Sequence, residues 1–265
     1  MAGTIRAGIG GWTFEPWRGV FYPPGTRQAD ELTFASRHVT AIEINGTYYS
    51  SQKPETFAKW AAQTPEGFVF ALKASRFCTN RRVLAEARES VARFLGQGLV
   101  ELGDRLGPIL WQFMATKKFD AGDFAAFVDL LPPSLEGLSL RHCVEARHAS
   151  FADPAFVALC RARGVAICCS QSPDWPLIAD VTADFVYARL MRGSDDIETG
   201  YGAADLDAWA DRLRAWAGGG APDDLPLLSP DHPPARTARD VFAFFISAGK
   251  VRAPAAAMSL IERLA

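Results

Sequence analysis

Eight short apolar runs, set among amphipathic segments at a spacing of roughly 30 residues, constrain the fold of this chain more than any other feature. The runs are TIRAGIGG (4–11), VTAIEIN (39–45), FVFALKA (68–74), PILWQF (108–113), HCVEAR (142–147), VAICCS (165–170), FVYARL (185–190) and DVFAFFI (240–246). Each is rich in β-branched or aromatic residues and is short enough for a strand. Helical patterns lie between them. PETFAKWAAQT places Phe57, Trp60 and Ala61 on one stripe. DPAFVALCRARG opens on Asp153 and Pro154 and leaves at Gly164, a cap, a first-turn proline and an exit glycine. AADLDAWADRLRAWAGGG aligns Leu206, Trp209, Leu213 and Trp216 before a glycine stop. APAAAMSLIERLA closes the chain as a further helix, and DWPLIADV, after the sixth run, carries the thinnest helical pattern.

Alternation of eight strands with helices over 265 residues predicts one α/β domain spanning 1–265, a (β/α)8 TIM-type barrel with an eight-stranded parallel sheet. A doubly wound sheet is the rival, but no Gly-x-Gly-x-x-Gly follows a strand; GIGGWT has Thr13 where the third glycine would fall. The stretch 218–238, dense in Pro, Gly and Asp, reads as a long loop joining helix seven to strand eight. It would lie on the barrel's N-terminal face, away from chemistry, with His232 inert.

Composition excludes some classes. The chain is 49% hydrophobic with a net charge of −2, so neither a membrane surface nor nucleic acid is indicated by charge. No apolar run approaches the roughly 18 residues of a membrane span, and the N-terminus lacks a signal-peptide pattern, which leads to a cytoplasmic expectation. The five cysteines are odd in number and form no Cys-x-x-Cys pair; they read as reduced, buried thiols, with a reactive Cys78 as the alternative.

In a parallel barrel, polar residues near strand C-termini point into the mouth, where barrel active sites sit. Strand two offers Glu43 and Asn45, strand three Lys73, strand four Gln112, strand five Glu145 and Arg147, and strand seven Tyr187 and Arg189, with Lys250 following strand eight. Isolated buried charge is costly, so these groups must pair or meet solvent. A shared wet pocket explains their common height. Ion pairs plugging the mouth, Glu43 with Lys73 and Glu145 with Arg147 or Arg189, are the alternative.

The candidate catalytic residues are Glu43 and Glu145, as acid and base, and Lys73, whose amine could be freed by burial as base or Schiff-base nucleophile. Arg147 and Arg189 are planar forks for an anion, with Arg76, Arg81 and Arg82 on the loop after strand three. His148 is a proton-shuttle candidate. Glu43, Glu145 and His148 are residue types that could hold one divalent metal, but their spacing is not diagnostic, and no cofactor is expected. His38 and His142 read as structural. Trp12, Phe14, Trp17, Phe21 and Tyr22 crowd one loop, either as a lid or as a stacking floor for a sugar or base.

The stretches GIGGWTFEPWRGVFYPPG, AIEINGTYYS, PETFAKWAAQTPEGFVFALKASRF, GPILWQF, EARHASF, VTADFVYARL and DVFAFFISAGKVRAPAAA resemble the YecE-like family, domain-of-unknown-function family 72, over nearly the whole chain. The resemblance implies a TIM-type barrel and little about reaction. Carried onto this sequence, the family pattern singles out Trp12, Trp17, Glu43, Asn45, Tyr49, Lys73, Gln112, Glu145, Arg147 and Arg189. This chain departs from it at Asn80, where many members carry histidine, at ISAGK (246–250) in place of an Asn/Asp-rich turn, and at RLMRG, with Met191 and Arg192. These departures remove a histidine and acidic groups and favour anion binding.

Three functions follow as expectations. The first is an enzyme, an isomerase, lyase or hydrolase, acting on a small anionic metabolite, sugar-like or phosphorylated, with Trp12, Asn45, Tyr49, Gln112, Arg147, His148 and Arg189 binding substrate. The second is a non-catalytic small-molecule binder using the same pocket. The third is a metal-dependent nucleic-acid-processing barrel, against which the near-neutral charge argues. Oligomeric state is not legible.

Overall fold

The computed structural model describes residues 2–232 and 234–265. All eight apolar runs form strands: β1 (Ile5–Gly10), β2 (Ala41–Ile44), β3 (Val69–Lys73), β4 (Leu106–Gln112), β5 (His142–Glu145), β6 (Ala166–Gln171), β7 (Phe185–Arg192) and β8 (Asp240–Ala248). Each pairs in parallel with its sequence neighbours, and β1 pairs with β8 to close the barrel. Closure removes every sheet edge, and the all-parallel order requires a crossover after each strand.

The crossovers carry α1 (Glu31–Ala35), α2 (Gly46–Tyr49) and α3 (Pro54–Gln63), α4 (Arg76–Thr79) and α5 (Arg88–Leu95), α6 (Ala121–Val128), α7 (Pro154–Ala162), α8 (Ala203–Ala217) and α9 (Ala253–Leu264). The local rules set several ends. The Asp153 side chain accepts a hydrogen bond from Ala155 N at 2.8 Å, and Pro154 occupies the first turn of α7, as the sequence implied. The α8 stripe of Leu206, Trp209, Leu213 and Trp216 is buried against the strands.

One unit departs from the pattern. DWPLIADV forms no helix; residues 172–184 run irregularly between β6 and β7. Three residues separate Pro176 from Asp180, too few for a helix of useful length after a proline. The gap is covered by the long loop 218–238. Asp180 accepts hydrogen bonds from Leu228 N at 2.8 Å and Ser229 N at 2.9 Å, while Leu225, Leu227 and Leu228 pack on the core. The same loop lies against α7 at Pro154 and Ala158, and Asp224 accepts from Arg212 of α8 at 2.6 Å. It therefore bridges the two helices that flank the missing one.

Inside the barrel, successive residues alternate between lumen and helical layer. Val69, Ala71, Leu110, Cys143, Ala166, Cys168, Phe185, Tyr187, Phe242 and Phe244 form the inner apolar cluster. The outer cluster holds residues such as Ile9, Ile42, Leu72, Trp111 and Leu190. A Cβ on Gly8 would lie 1.8 Å from the Ala41 carbonyl oxygen, so β1 and β2 can pair this closely only through glycine. On the N-terminal side, Arg141 donates to Asp240 at 2.9 Å and, with Arg6, lies over the Phe242 ring, sealing that end.

Candidate functional site

The upper lumen is ionic. Register places Glu43 opposite Gly10, Gln112 opposite Glu145, and Ser170 opposite Arg189. These residues share one height because parallel strands in register carry the same side-chain phase.

Arg189 is the hub. Its Nε and Nη2 donate to Glu43 at 3.1 and 3.0 Å, and its Nη1 donates to both oxygens of Glu145 at 2.7 and 2.8 Å. The Tyr187 hydroxyl donates to Glu43 at 2.7 Å. Gln112 Nε2 donates to Glu145, as do Arg147 Nη2 at 3.3 Å and Ser170 Oγ at 3.4 Å. Glu43 and Glu145 are fully buried and Arg189 is 2% exposed. Burial would raise the Glu145 carboxyl, but Arg189, then Arg147 and the hydrogen bonds, outweigh it and hold it at about 2. Burial alone would lower Arg189, and the two carboxylates raise it well above the ordinary arginine value.

The Glu43–Lys73 pair of the alternative reading does not form, because Arg189 occupies Glu43 with a two-point fork that a single ammonium cannot match. Among the described residues, no hydrogen bond or ion pair engages Lys73 Nζ. It sits 4.2 Å from the centre of the Tyr48 ring and is 7% exposed. Burial and the Arg189 charge pull its pKa down to about 8, against the opposing pull of Glu43 and Glu145. Its neighbourhood is built by the turn after β2. Thr47 Oγ1 donates to the Lys73 carbonyl at 2.7 Å, and Asn80 Nδ2 donates to the Tyr48 hydroxyl at 3.2 Å. Tyr48 was not legible as a site residue; its only signal was its place three residues after Asn45, on a turn leaving the mouth.

Other candidates are placed apart. Asn45 and Tyr49 line a cleft of about 300 Å³ at the mouth, with Gly10, Ile246, Ser247 and Lys250. Ser247 there has φ 72°, a left-handed conformation at the point where β8 loses register with β7. Trp12 faces the helical layer, with its ring 5.1 Å from that of Trp60 and 6.1 Å from that of Phe70. Trp17 is buried and its Nε1 donates to the Lys250 carbonyl at 2.8 Å, so the aromatic loop is a lid packed on the last βα turn. His148 Nδ1 accepts from Ser150 N at 3.1 Å and caps a short turn. Arg81 donates to the Phe77 and Glu86 carbonyls and to Ser90, which ties it into its own loop. Arg147 stacks 4.5 Å over Trp175, and its Nε is buried with no acceptor.

The buried histidine and thiols behave structurally. His142 accepts from Trp111 Nε1 at 3.1 Å and its Nε2 faces the Pro132 carbonyl at 2.8 Å. Burial pushes the Cys78 thiol up to about 12, outweighing Arg81, which removes the reactive-thiol alternative. All five cysteines are free and buried. Among the described residues, no three His, Cys, Asp or Glu side chains are grouped to hold a metal ion, and Glu43, Glu145 and His148 are not brought together. Among the described residues, no helix is long and apolar enough to cross a membrane.

Fold and basin together define a (β/α)8 barrel with a charged layer at its C-terminal mouth. The chain belongs to the DUF72 family, described as proteins of unknown function, whose family model matches residues 6–265. It is 28% identical to UPF0759 protein YecE of Escherichia coli K12 over 142 residues, 52% of this chain and 48% of that one. UPF0759 protein YunF of Bacillus subtilis 168 is 31% identical over 78 residues, 29% of this chain and 27% of the relative. The matched region thus spans about half the length or less of these curated relatives. Among solved structures, a DUF72 family protein of Thermotoga maritima aligns with TM-score 0.70 at 20% identity, covering 97% of both chains. One from Enterococcus faecalis aligns with TM-score 0.71 at 16% identity, covering 98% of this chain and 95% of that one. At these identities the likeness shows the fold.

Proposed function

We propose that this protein is an enzyme acting on a small anionic metabolite, sugar-like or phosphorylated, at the C-terminal mouth of the barrel, with Lys73 as the group that exchanges protons. The observation that carries this reading is the Lys73 ammonium, buried in the mouth and left without a carboxylate partner although two carboxylates lie in the same layer. Fold alone supports many functions, so the reading rests on this site. Three cations, Lys73, Arg147 and Arg189, share the basin with Glu43 and Glu145. One positive charge is unbalanced when the amine is protonated, and an anion would balance it. An amine near pH 8 exchanges its proton under ordinary conditions, as a general base must.

In this reading the candidate residues take different roles. Glu145, held ionised, and Glu43, forked to Arg189, anchor that arginine; Gln112 and Ser170 hold Glu145 in place. Arg147, whose side chain is partly exposed and whose Nε has no acceptor, is the proposed anion contact. Isothermal titration with inorganic phosphate and with sugar phosphates tests the reading. Wild-type protein should bind one of these anions, and Lys73→Met should lose that binding while keeping its circular dichroism. Binding unchanged in Lys73→Met removes the proposed role.

The satisfied Glu43–Arg189–Glu145 bridge favours a second reading. A basin whose central charges are already paired needs no turnover, and the protein would then retain an anion without converting it. Chromatography of the bound fraction after incubation distinguishes the two: unchanged ligand supports a binder, a converted one an enzyme.

A further inference from the structure

We propose that Lys73 acts covalently, its Nζ condensing with the aldehyde or ketone carbon of a small anionic carbonyl compound to form an imine. This rests on the reading above and narrows its substrate class to anions that carry a carbonyl.

The basin lacks a matched pair of groups for a proton relay. A proton relay between two groups requires partners in complementary protonation states. Glu145 is fixed as a carboxylate by Arg189 and Arg147, and the oxygens of Glu43 are occupied by hydrogen bonds from Arg189 and Tyr187. A lysine used covalently needs only its own amine, because the imine it forms withdraws electrons from the bound substrate.

The surroundings of the amine suit that use. Thr47 clamps the Lys73 carbonyl, so the end of β3 is fixed, and Asn80 holds Tyr48 so that its ring covers one side of Nζ. Among the described residues no hydrogen-bond donor ties up the nitrogen lone pair once the proton has left. Burial and the neighbouring Arg189 lower its pKa to about 8, so a minor but useful share of the amine is free near neutral pH. Arg147, half-buried beside the same layer with an unused Nε donor, is placed for the anionic end of the compound.

The step balances without an oxidant or reductant. The amine lone pair attacks the carbonyl carbon, the C–N bond forms, and the C=O pair moves to oxygen, which takes a proton. The nitrogen loses a proton, the protonated hydroxyl leaves as water while the nitrogen lone pair closes the C=N bond, and the nitrogen then gives up its second proton. The product is the imine.

Glyoxylate, a small anionic aldehyde, and glycolaldehyde, a neutral one of similar size, are the probes, each with cyanoborohydride to reduce the imine to a stable secondary amine. Peptide mass mapping of the wild-type chain reads the labelled lysines. Lys73 should be labelled by glyoxylate about tenfold or more faster than the exposed Lys53, Lys59 and Lys118, since far more of its amine is unprotonated at neutral pH. The rate should level off above pH 8, glycolaldehyde should react more slowly at this residue, and Lys73→Arg should abolish the label there alone. Labelling of Lys73 slower than that of the exposed lysines overturns the imine. If phosphate or a sugar phosphate still binds in a Lys73-dependent way under that outcome, the imine falls and the anion reading stands. Equal labelling by the two probes overturns the anionic class while leaving the reactive amine.

Discussion

Glu43 meets Arg189 across the barrel, 146 positions away in sequence, through hydrogen bonds of 3.0 and 3.1 Å. That contact decides the chemistry of the mouth. By taking Glu43, the carboxylate on the strand next to that of Lys73, Arg189 leaves the lysine as an unpaired cation in a buried layer.

A buried charge without a partner destabilises the fold. Lys73→Met should therefore raise stability, by about 1 kcal/mol or more, while abolishing function, the trade-off expected of a functional site. Urea denaturation followed by fluorescence measures it. A loss of stability would mean that the ammonium's contact with Tyr48 holds the mouth together.

The same residue sets a pH signature. Its folded pKa of about 8 lies below the ordinary lysine value of 10.5, so between these pH values the unfolded chain binds the extra proton. Stability of the wild type relative to Lys73→Met should rise as pH rises through that window, and the deficit should be complete below it. Glu145 works in the opposite range: its folded pKa of about 2 lies below 4.5, so its contribution is present above 4.5 and fades as pH falls toward 2. Denaturation midpoints across both windows read the two effects.

Removing the hub should be severe. Arg189→Met strands two buried carboxylates, at a cost of about 3–5 kcal/mol. Adding Glu43→Gln to that variant should recover part of the loss, because the two sites are coupled. Additive losses in the double variant would show that the bridge contributes nothing as a unit.

The loop that stands in for the sixth barrel helix hangs on one side chain. Asp180→Ala should cost about 1–3 kcal/mol by leaving Leu228 N and Ser229 N without acceptors, and should open 218–238 to limited proteolysis. Cleavage patterns identical to wild type would show that the apolar contacts of Leu225, Leu227 and Leu228 suffice.

The thiols give a simple control. None of the five cysteines should react with an alkylating reagent in the native state, and all should react after denaturation. Rapid native labelling at Cys78 would contradict its burial.

The eight strands were legible because each is a short local run whose composition reports burial. The polar tips were legible for the same reason: Glu43, Gln112, Glu145 and Arg189 occupy the inward phase of strands already marked by alternation. Tyr48 and Thr47 escaped notice because a four-residue turn carries no periodicity. The direction of Trp12 was not legible, because nothing local says whether a ring after β1 turns inward or folds back onto Trp60. The sixth helix failed because a weak pattern beside Pro176 was weighed without the loop 218–238 that covers its place.

By itself, then, the sequence determined the closed parallel barrel and the height at which its charges gather, since both follow from period-two alternation and the length of each βα unit. Only the tertiary structure decided which charge meets which. Pairing across a lumen depends on distance between strands far apart in the chain, and there the two-pronged guanidinium of Arg189 outcompetes the single ammonium of Lys73 for both carboxylates.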